Sequence, residues 1–354
     1  MKIAFLTLYS GYVDRGVETF IKEVGNRLAK RHEVWVFQAG KPTGKEEYKV
    51  KQIKLKIDWD NRDVIGSLKR KLFLDYWSRL ILLFSLHCWS TLRKEKFDVI
   101  VPTDGGWEKP ICWLLKILAK TRIIVTGQSG PGYDDRWNLF WRPDVFVALS
   151  SKAENWAKKV GWGVRIVKIP NGVDIKKFSP QIEPKKINLE PPVILCASAL
   201  VPSKRIDLTI EAVAKLKDTS LLVVGDGEIK EELEQLGKKL LGKRFLLTKA
   251  KYEEMPTYYR AANLFTMVSF SSEAFGIVYV EAMASGLPVV ATDDESRREI
   301  IDEAGFLVNP ENLEEYAQTL EKALKIDFGG KPRQQAQKFS WDKIASQYEE
   351  IMLK

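Results

Sequence analysis

Two acidic residues with a glycine between them mark the block of this 354-residue chain that could do chemistry: Glu273, Gly276 and Glu281. The block follows an apolar run, Leu264–Val268, and its second half predicts a helix beginning near Gly276. A helix N-terminus offers free amides and a partial positive charge, which suit a phosphate, and a glycine lets that phosphate approach closely. Carboxylates accept hydrogen bonds from paired hydroxyl groups. The spacing therefore predicts a site for an elongated ligand, with phosphates in the middle and an acid at each end.

A lysine belongs to the same prediction. Lys204 follows Pro202 after the apolar run Val193–Ala197, and ligands of open parallel sheets bind where strands end. An ammonium group there would stabilise negative charge on the phosphates of such a ligand. A solvated lysine and two solvated glutamates are the simpler interpretation of these residues taken singly. The residues around them decide between the two.

The block from Glu273 to Ala291 resembles the signature of the retaining group 1 transferases of glycosyltransferase family four. That signature is Glu-Gly-Phe-Gly, four variable positions, then Glu-Ala-Met-Ala-x-Gly-x-Pro-Val-Val-Ala, and only Ala274 departs from it. The resemblance covers nearly the whole chain and is stronger after about residue 168. Further segments match in order: Pro170-Asn-Gly-Val-Asp174, Leu200-Val-Pro-Ser-Lys-Arg-Ile-Asp207, Val224-Gly-Asp-Gly227, Ala261-Ala-Asn-Leu-Phe265 and Phe339-Ser-Trp341.

The resemblance implies a fold and a reaction. The fold is α/β of the GT-B type: two Rossmann-like doubly wound domains facing a cleft, with a C-terminal helix that crosses back. The implied bounds are 1–168 for an acceptor-binding domain, 169–334 for a nucleotide-sugar-binding domain and 335–354 for the helix on the N-terminal domain. The implied reaction transfers a sugar from a UDP- or GDP-linked donor to an acceptor hydroxyl with retention of configuration, and it needs neither cofactor nor metal.

Site roles are implied residue by residue. The position of Glu281 binds the ribose hydroxyls, Glu273 contacts the donor sugar, and Lys204 neutralises the diphosphate; Glu273 and Lys204 are the catalytic pair. The other implied donor-binding residues are Phe275, Gly276 and Ile277 at the diphosphate, Gly225, Gly227 and Ala250 at the base, and Gly16, Asn171 and Arg205.

Several positions depart from the family pattern. Arg205 replaces a glycine and is conjectured to supply the phosphate charge that an arginine at the position of Ala199 gives other members. The remaining departures are Ser198 for a glycine, Glu295-Ser296 for a pair of glycines, Arg15 for the first glycine before Gly16, and Gln128 for a histidine. They leave open an alternative: a catalytically impaired sugar-nucleotide or saccharide-binding protein on the same scaffold.

Two series of short apolar strands alternate with helical patterns and would position these residues, as in parallel sheets covered on both faces. The Pro- and Lys-rich stretch Pro180–Pro192 lies between the series and predicts a linker. The predicted strands are Lys2–Leu8, Glu33–Phe37, Val50–Ile57, Val99–Val101, Ile123–Thr126 and Val145–Leu149, then Val193–Ala197, Leu221–Val224, Leu264–Val268, Val289–Thr292 and Phe306–Val308. The predicted helices include Val17–Lys30, Ser67–Lys94, Asp207–Leu216, Ile229–Leu241, Gly276–Ser285, Leu313–Lys325 and a last one beginning at Ser340.

Charge is shared unevenly between the two halves. Residues 1–170 hold 31 Lys/Arg against 18 Asp/Glu, whereas residues 171–354 hold 25 against 29. A basic first half favours an anionic partner, either a charged saccharide or lipid-linked acceptor or an anionic membrane surface. The segment Ser67–Lys96, which mixes basic and aromatic residues, predicts either such a contact or an amphipathic helix whose apolar face is core. A nucleic-acid partner is disfavoured because no nucleic-acid-binding motif accompanies the charge.

Other function classes fit poorly. The three scattered cysteines favour neither a disulfide framework nor a zinc site, and they indicate a reducing, cytoplasmic setting, with peripheral membrane contact left open. A nicotinamide dehydrogenase needs G-x-G-x-x-G after its first strand, but the glycines after Leu8 are Gly11 and Gly16. Asp58-Trp59-Asp60 matches a D-x-D metal motif formally, without supporting context.

Overall fold

The computed structural model describes residues 1–13, 15–59, 61, 68–270 and 273–354. The chain forms two compact units, each with its own sheet: the first is Met1–Pro170 together with Asp342–Lys354, and the second is Asn171–Trp341. Asp60 of the D-x-D sequence, Ser67 at the start of the basic aromatic segment, and Ser271 and Ser272 before the glutamate block lie outside the described residues.

The first unit contains a seven-stranded sheet in the order β3-β2-β1-β4-β5-β6-β7, with every adjacent pair parallel. The direction of strand order reverses at β1, so the loops after β1 and β4 diverge at the carboxyl edge, as in doubly wound folds. The strands are β1 (Lys2–Thr7), β2 (Glu33–Gln38), β3 (Lys49–Gln52), β4 (Val99–Pro102), β5 (Arg122–Thr126), β6 (Val145–Ala148) and β7 (Arg165–Lys168).

Helices cover this sheet. The long predicted helix Ser67–Lys94 is wrong as one element, because Phe73 adopts a left-handed φ of 55° and Asp75 caps a new helix by accepting from the backbone N–H of Ser78 at 3.1 Å. The helices of the first unit are α1 (Gly16–Ala29), α2 (Leu68–Lys71), α3 (Tyr76–Glu95), α4 (Glu108–Ala119), α5 (Tyr133–Phe140) and α6 (Ser151–Val160).

The second unit contains a six-stranded parallel sheet in the order β10-β9-β8-β11-β12-β13. Here the order reverses at β8, between β9 and β11. The strands are β8 (Val193–Ala197), β9 (Ser220–Val224), β10 (Phe245–Thr248), β11 (Leu264–Met267), β12 (Val289–Thr292) and β13 (Gly305–Val308). The helices are α7 (Ile206–Ala214), α8 (Lys230–Leu241), α9 (Met255–Arg260), α10 (Ile277–Ala284), α11 (Glu295–Ile301), α12 (Leu313–Lys325) and α13 (Lys331–Gln337).

The last helix, α14 (Trp341–Leu353), is confirmed, and it belongs to the first unit from Asp342 onward. Its apolar face is buried, and the Tyr348 ring lies 5.0 Å from that of Phe20 on α1. The Tyr348 hydroxyl is 3.3 Å from Oγ1 of Thr126 at the end of β5, and Asp342 accepts from Nε of Arg27 at 2.6 Å. The helix therefore completes the first unit's core.

Two sequence predictions about connections and strands were wrong, and two strands were missed. The stretch Pro180–Pro192 is no linker between domains: it lies in the second unit, where Lys185 N donates to the carbonyl of Thr257 at 2.9 Å. The strand predicted at Val50–Ile57 is only four residues long. Two four-residue edge strands were missed: β7, which holds only two apolar residues, and β10, although Phe245–Leu247 is an apolar run.

Candidate functional site

Lys204 and Glu273 meet at the carboxyl edge of the second sheet. Lys204 ends a 3₁₀ turn, Pro202–Lys204, in the loop after β8, and Glu273 lies in the loop after the neighbouring strand β11. Nζ of Lys204 donates to the Glu273 carboxylate, and each side chain keeps about a fifth of its surface exposed. The two predicted catalytic groups are thus an ion pair at the point where the strand order reverses, the usual place for a ligand in this architecture.

Gly276 precedes α10 and adopts a left-handed conformation, with φ of 81°. A Cβ atom there would lie 2.5 Å from the Tyr279 ring, so position 276 requires glycine on two grounds, conformation and space. The first free amides of α10 follow at Ile277. Glu273, the glycine and these amides therefore occupy one short stretch beside Lys204.

Glu281 is almost fully buried on α10 and faces away from solvent toward two tyrosines. Its Oε2 accepts from the Tyr259 hydroxyl at 2.9 Å. Burial raises the pKa of Glu281 to about 7, although hydrogen bonds from Tyr259 and Tyr252 and the charge of Lys177 oppose that rise. A carboxylate in such a place is poised to change ionisation near neutral pH.

Arg205 turns toward the sheet. Its Nε donates to the carbonyl of Val268 at 2.8 Å, and the guanidinium lies 4.6 Å from the centre of the Phe270 ring. Contacts of 3.4 Å reach the Ser269 carbonyl and the Thr292 hydroxyl. Burial lowers the pKa of Arg205. These contacts tie the ends of β11 and β12 together, and the conjectured phosphate role of Arg205 stays a prediction.

Arg297 was missed by the sequence analysis and is the most deeply buried cation of the described part of the second unit. Arg297 lies in the first turn of α11. Its guanidinium donates to the Tyr279 hydroxyl at 3.0 Å, to Oγ of Ser269 at 2.6 Å and to the Phe270 carbonyl at 3.1 Å. It also pairs with Asp294. Arg297 therefore joins α10 and α11 to the end of β11, immediately before the loop that carries Glu273. No periodic or motif signal in the sequence distinguishes it from its neighbour Arg298.

Comparison with known families explains this arrangement. The profile described as Glycosyl transferases group 1 matches residues 178–340, and the profile described as Glycosyltransferase Family 4 matches residues 15–177. A phosphatidyl-myo-inositol mannosyltransferase of Mycobacterium leprae is 30% identical over 272 residues, which are 71% of this chain and 72% of that protein. The chain belongs to the group 1 glycosyltransferases of family 4.

Two further comparisons set the limits of the likeness. A GDP-mannose-dependent monoacylated alpha-(1-6)-phosphatidylinositol monomannoside mannosyltransferase of Corynebacterium glutamicum is 32% identical over 171 residues, 43% of this chain. The match spans 45% of that relative, so the chain covers less than half the length of this curated protein. The structure of Anabaena HepE in complex with UDP and glucose has a TM-score of 0.76 at 19% identity and covers 99% of both chains, which shows the GT-B fold.

The other positions predicted to bind the donor of this group 1 glycosyltransferase lie in the second unit, except Gly16, which belongs to the first. Gly225 and Gly227 follow β9 and pack so tightly on Ser198 and Leu200 that a Cβ atom would collide with their carbonyl oxygens. Close backbone packing between the loops after β8 and β9 therefore explains why both positions are glycine. Ala250 follows β10 and is partly exposed.

Phe275 and Asn171 are both buried in the second unit. The Phe275 ring lies 5.8 Å from that of Phe339, and Asn171 is the first residue of the unit. Val173 pairs with Ser340 in a parallel bridge, so the two places where the chain passes between units lie side by side. Gly16 belongs to the first unit, where it opens α1 and is exposed.

The departures from the family pattern have identifiable local partners. Glu295 and Ser296 open α11, which Asp294 caps by accepting from the backbone N–H of Arg297 at 2.9 Å. Nε2 of Gln128 donates to Oγ1 of Thr126 at 2.9 Å. Arg297 lies in the first turn of this helix, one residue after Ser296, and donates to the carbonyl of Phe270 before the Glu273 loop.

A buried acidic cluster occupies the corresponding edge of the first sheet. Asp104, after β4, accepts from the backbone N–H of Leu8, after β1, at 2.5 Å, and Glu108 accepts from the backbone N–H of Asp104 at 2.9 Å and from Nζ of Lys109 at 3.1 Å. Burial raises the pKa of Asp104 to about 6 and that of Glu108 to about 8. The cluster holds the loops after β1 and β4 together.

Neither a metal site nor a membrane span was found in the described parts of the chain. Within residues 1–13, 15–59, 61, 68–270 and 273–354, no group of three or more His, Cys, Asp or Glu side chains could hold a metal ion. No helix in those same ranges has both the length and the apolar character needed to cross a bilayer.

Proposed function

We propose that this chain is a retaining hexosyltransferase that moves a sugar from a nucleotide diphosphate donor to an acceptor hydroxyl. The observation that carries the proposal is the Lys204–Glu273 ion pair beside the amides that open α10. Family membership supports transferase chemistry, and the opposite charges support a ligand that has both phosphate and sugar parts.

In this proposal, different residues bind the diphosphate, the donor sugar and the ribose. The diphosphate would dock against the amides after Gly276, and its oxygens would replace the Glu273 carboxylate as partners of Lys204. Glu273, released from Lys204, would then accept hydrogen bonds from donor-sugar hydroxyls. Glu281 would accept from the ribose hydroxyls, with Tyr259 holding its carboxylate in place.

The chemical step needs no protein base in this proposal. The bond between the anomeric carbon and the diphosphate oxygen breaks, and its electron pair leaves with the diphosphate, whose growing charge Lys204 stabilises. The acceptor oxygen forms the new bond on the same face, and its proton passes to the leaving phosphate oxygen. Configuration at the anomeric carbon is therefore retained.

The printed names of relatives support particular classes of donor and acceptor. HepE was crystallised with UDP and glucose, and the Corynebacterium relative is named as GDP-mannose-dependent, which supports a UDP- or GDP-linked sugar. The same relative and the Mycobacterium leprae protein are named for phosphatidylinositol acceptors, which supports a saccharide or lipid-linked acceptor. We further propose a cytoplasmic location with peripheral contact to an anionic membrane.

A donor panel tests the proposal. Thermal shift with UDP- and GDP-linked sugars should identify one donor that stabilises the protein, and proton NMR of the product should show the donor's own anomeric configuration. An inverted product would overturn the mechanism, and a failure of every sugar nucleotide to bind would overturn the function.

One observation favours the alternative of an impaired, binding-only protein. Ala199 stands where other members have a phosphate-binding arginine, and Arg205 is bonded to strand carbonyls. A donor that binds but is neither transferred nor hydrolysed, across a panel of saccharide and lipid-linked acceptors, would establish this alternative.

A further inference from the structure

Helix α4 has an apolar stripe on its exposed face, although a helix that only covers a sheet needs apolar residues on its buried face alone. Its buried side, which includes Cys112 and Leu115, already packs in the core of the first unit. On the opposite side, four large apolar residues are between 36% and 60% exposed: Trp113, Leu114, Ile117 and Leu118. Successive turns of one helix place positions 113 and 114 beside 117 and 118, so they form a continuous stripe. Outward helix faces are normally polar.

The stripe continues onto neighbouring elements. Trp113 contacts Trp141, with ring centres 5.8 Å apart, and Trp141 contacts Phe140, which is 68% exposed. The carbonyl of Arg142 accepts from Nζ of Lys116, and the Arg142 guanidinium lies 5.7 Å from the ring of Trp162, which is 84% exposed. We call these residues the α4 surface: Trp113, Leu114, Ile117, Leu118, Phe140 and Trp162.

The exposed charges around the α4 surface are mainly basic, although Asp144 beside it pairs with Lys116 at 3.0 Å and Asp134 is exposed on α5. Helices α3 and α4 are packed together, and both are described along their whole backbone. Their exposed residues include Arg79, Arg93 and Lys94, and Lys120 follows α4 directly; the partly exposed carboxylate of α3, Glu95, is paired with Lys2. Leu83 and Leu86 of α3 add apolar area between these cations. Exposed tryptophan and aliphatic side chains rimmed by lysine and arginine are typical of proteins that lie in an anionic bilayer interface.

We propose that the α4 surface is a docking site for the anionic face of a lipid bilayer. The apolar stripe would enter the boundary between headgroups and acyl chains, while Lys94, Lys120 and Arg142 would contact lipid phosphates. The sequence segment Ser67–Lys96 had suggested such a contact. Phe73, Leu80 and Phe84 of that segment are core, whereas Leu83 and Leu86 of α3 are exposed, so α3 contributes to the contact and its centre lies on α4.

This inference rests on the proposed function for its purpose, since a transferase that uses a lipid-linked acceptor must work at a membrane. Its test is independent of catalysis. Vesicle binding needs neither donor nor turnover, and donor binding needs no vesicle. If the chain binds donor but not vesicles, the membrane inference has failed; if it binds vesicles but no donor, the proposed function has failed.

The experiment is co-sedimentation of the whole chain with vesicles of phosphatidylcholine and phosphatidylglycerol, and with phosphatidylcholine alone. The variant is the triple substitution Leu114→Gln, Ile117→Gln and Leu118→Gln. All three side chains are exposed, and glutamine is a good helix former, so α4 should stay helical. The matched control replaces three exposed apolar residues elsewhere: Leu240→Gln, Ile326→Gln and Leu353→Gln.

We expect the wild-type chain and the control to bind anionic vesicles and to dissociate as salt is added. The triple variant should bind at least about tenfold more weakly, because three aliphatic side chains no longer enter the interface. A Lys94→Gln, Lys120→Gln pair should weaken binding by about fivefold per charge. Thermal shift with a sugar nucleotide should stay at the wild-type value in every variant.

Two results would overturn the inference. One is equal vesicle binding by the triple variant, the control and the wild-type chain, or binding by none of them. The other is a wild-type dimer in sedimentation velocity without lipid that the triple variant converts to a monomer, because the α4 surface would then cover a second copy of this chain.

Discussion

The ionisation of Glu281 controls one end of the proposed donor site. The carboxylate is buried, and burial raises its pKa from an ordinary value of 4.5 to about 7. In the folded chain it therefore holds its proton at pH values where the unfolded chain has lost it. Preferential protonation of Glu281 in the folded chain adds to the free energy of unfolding. This contribution is fully present below pH 4.5 and is lost as pH rises through 7. Ribose hydroxyls would donate to the ionised form, so donor binding has the opposite pH dependence.

We expect the affinity for an intact sugar nucleotide to rise with pH toward neutrality, by up to about tenfold per pH unit below the pKa of Glu281. Isothermal titration calorimetry across this range measures it. In Glu281→Gln the affinity should be lower and nearly independent of pH. A variant that keeps the wild-type pH profile would show that another group is responsible.

Lys204 is expected to act mainly in the transition state, when negative charge grows on the leaving diphosphate. Lys204→Ala should lower kcat by about 10²–10³-fold, and steady-state kinetics with the identified donor measures it. Lys217→Ala removes an exposed lysine just beyond the end of α7 and should retain wild-type kcat. A Lys204→Ala enzyme with wild-type turnover would remove this lysine from the mechanism.

At the scale of elements, the Glu273 loop depends on a buried cation. Arg297 of α11 contacts Tyr279 on α10 and both Ser269 and Phe270 after β11, so one guanidinium fixes three elements that converge on the site. Removing it leaves hydroxyl, carbonyl and carboxylate groups buried without their donor, which is more costly than losing an exposed ion pair.

We expect Arg297→Met to lower the free energy of unfolding of the second unit by about 3–5 kcal/mol, as breaking a buried pair does. The donor KM should also rise, since the loop before Glu273 loses its anchor. The adjacent Arg298→Met is the matched control: Arg298 is exposed and pairs with Asp293, so its loss should change stability by about 1 kcal/mol or less. Chemical denaturation compares the two, and equal effects would contradict the assignment of Arg297 as a positioning residue.

At the scale of the whole molecule, the first unit is discontinuous in sequence. Residues 342–354 return to it after the complete second unit, and α14 fills part of its core through Ile344, Tyr348 and Ile351. The last thirteen residues therefore contribute to the stability of strands that lie at the beginning of the chain.

We expect Tyr348→Ala to destabilise the first unit by about 3–5 kcal/mol, because it removes a fully buried aromatic ring. Hydrogen exchange should show loss of protection in β1 and β6, while β8 and β11 keep theirs. Leu353→Ala, at an exposed position of the same helix, is the control. Uniform loss of protection in both units would mean that they unfold together.

The sequence alone predicted the fold type, which is confirmed, and the outline of the candidate site, which stays a prediction. Alternating apolar runs and helical patterns predicted two parallel α/β sheets, and the block from Glu273 to Ala291 indicated the family. Both signals are local: buried strands need apolar runs, and a glycine before a helix is visible in the chain. Strand β7 was not predicted because it holds only two apolar residues, Ile166 and Val167, and β10 was missed although Phe245, Leu246 and Leu247 are apolar.

Tertiary structure decided what depends on residues distant in sequence. The pairing of Lys204 with Glu273 joins positions 69 residues apart, and Arg297 became important only when α11 was placed against Tyr279 and Ser269. The exposed stripe of α4 looks like core in the sequence, since an apolar residue gives the same pattern whichever way it faces. Which side of a helix meets its sheet is set by packing, and packing exists only in the folded chain.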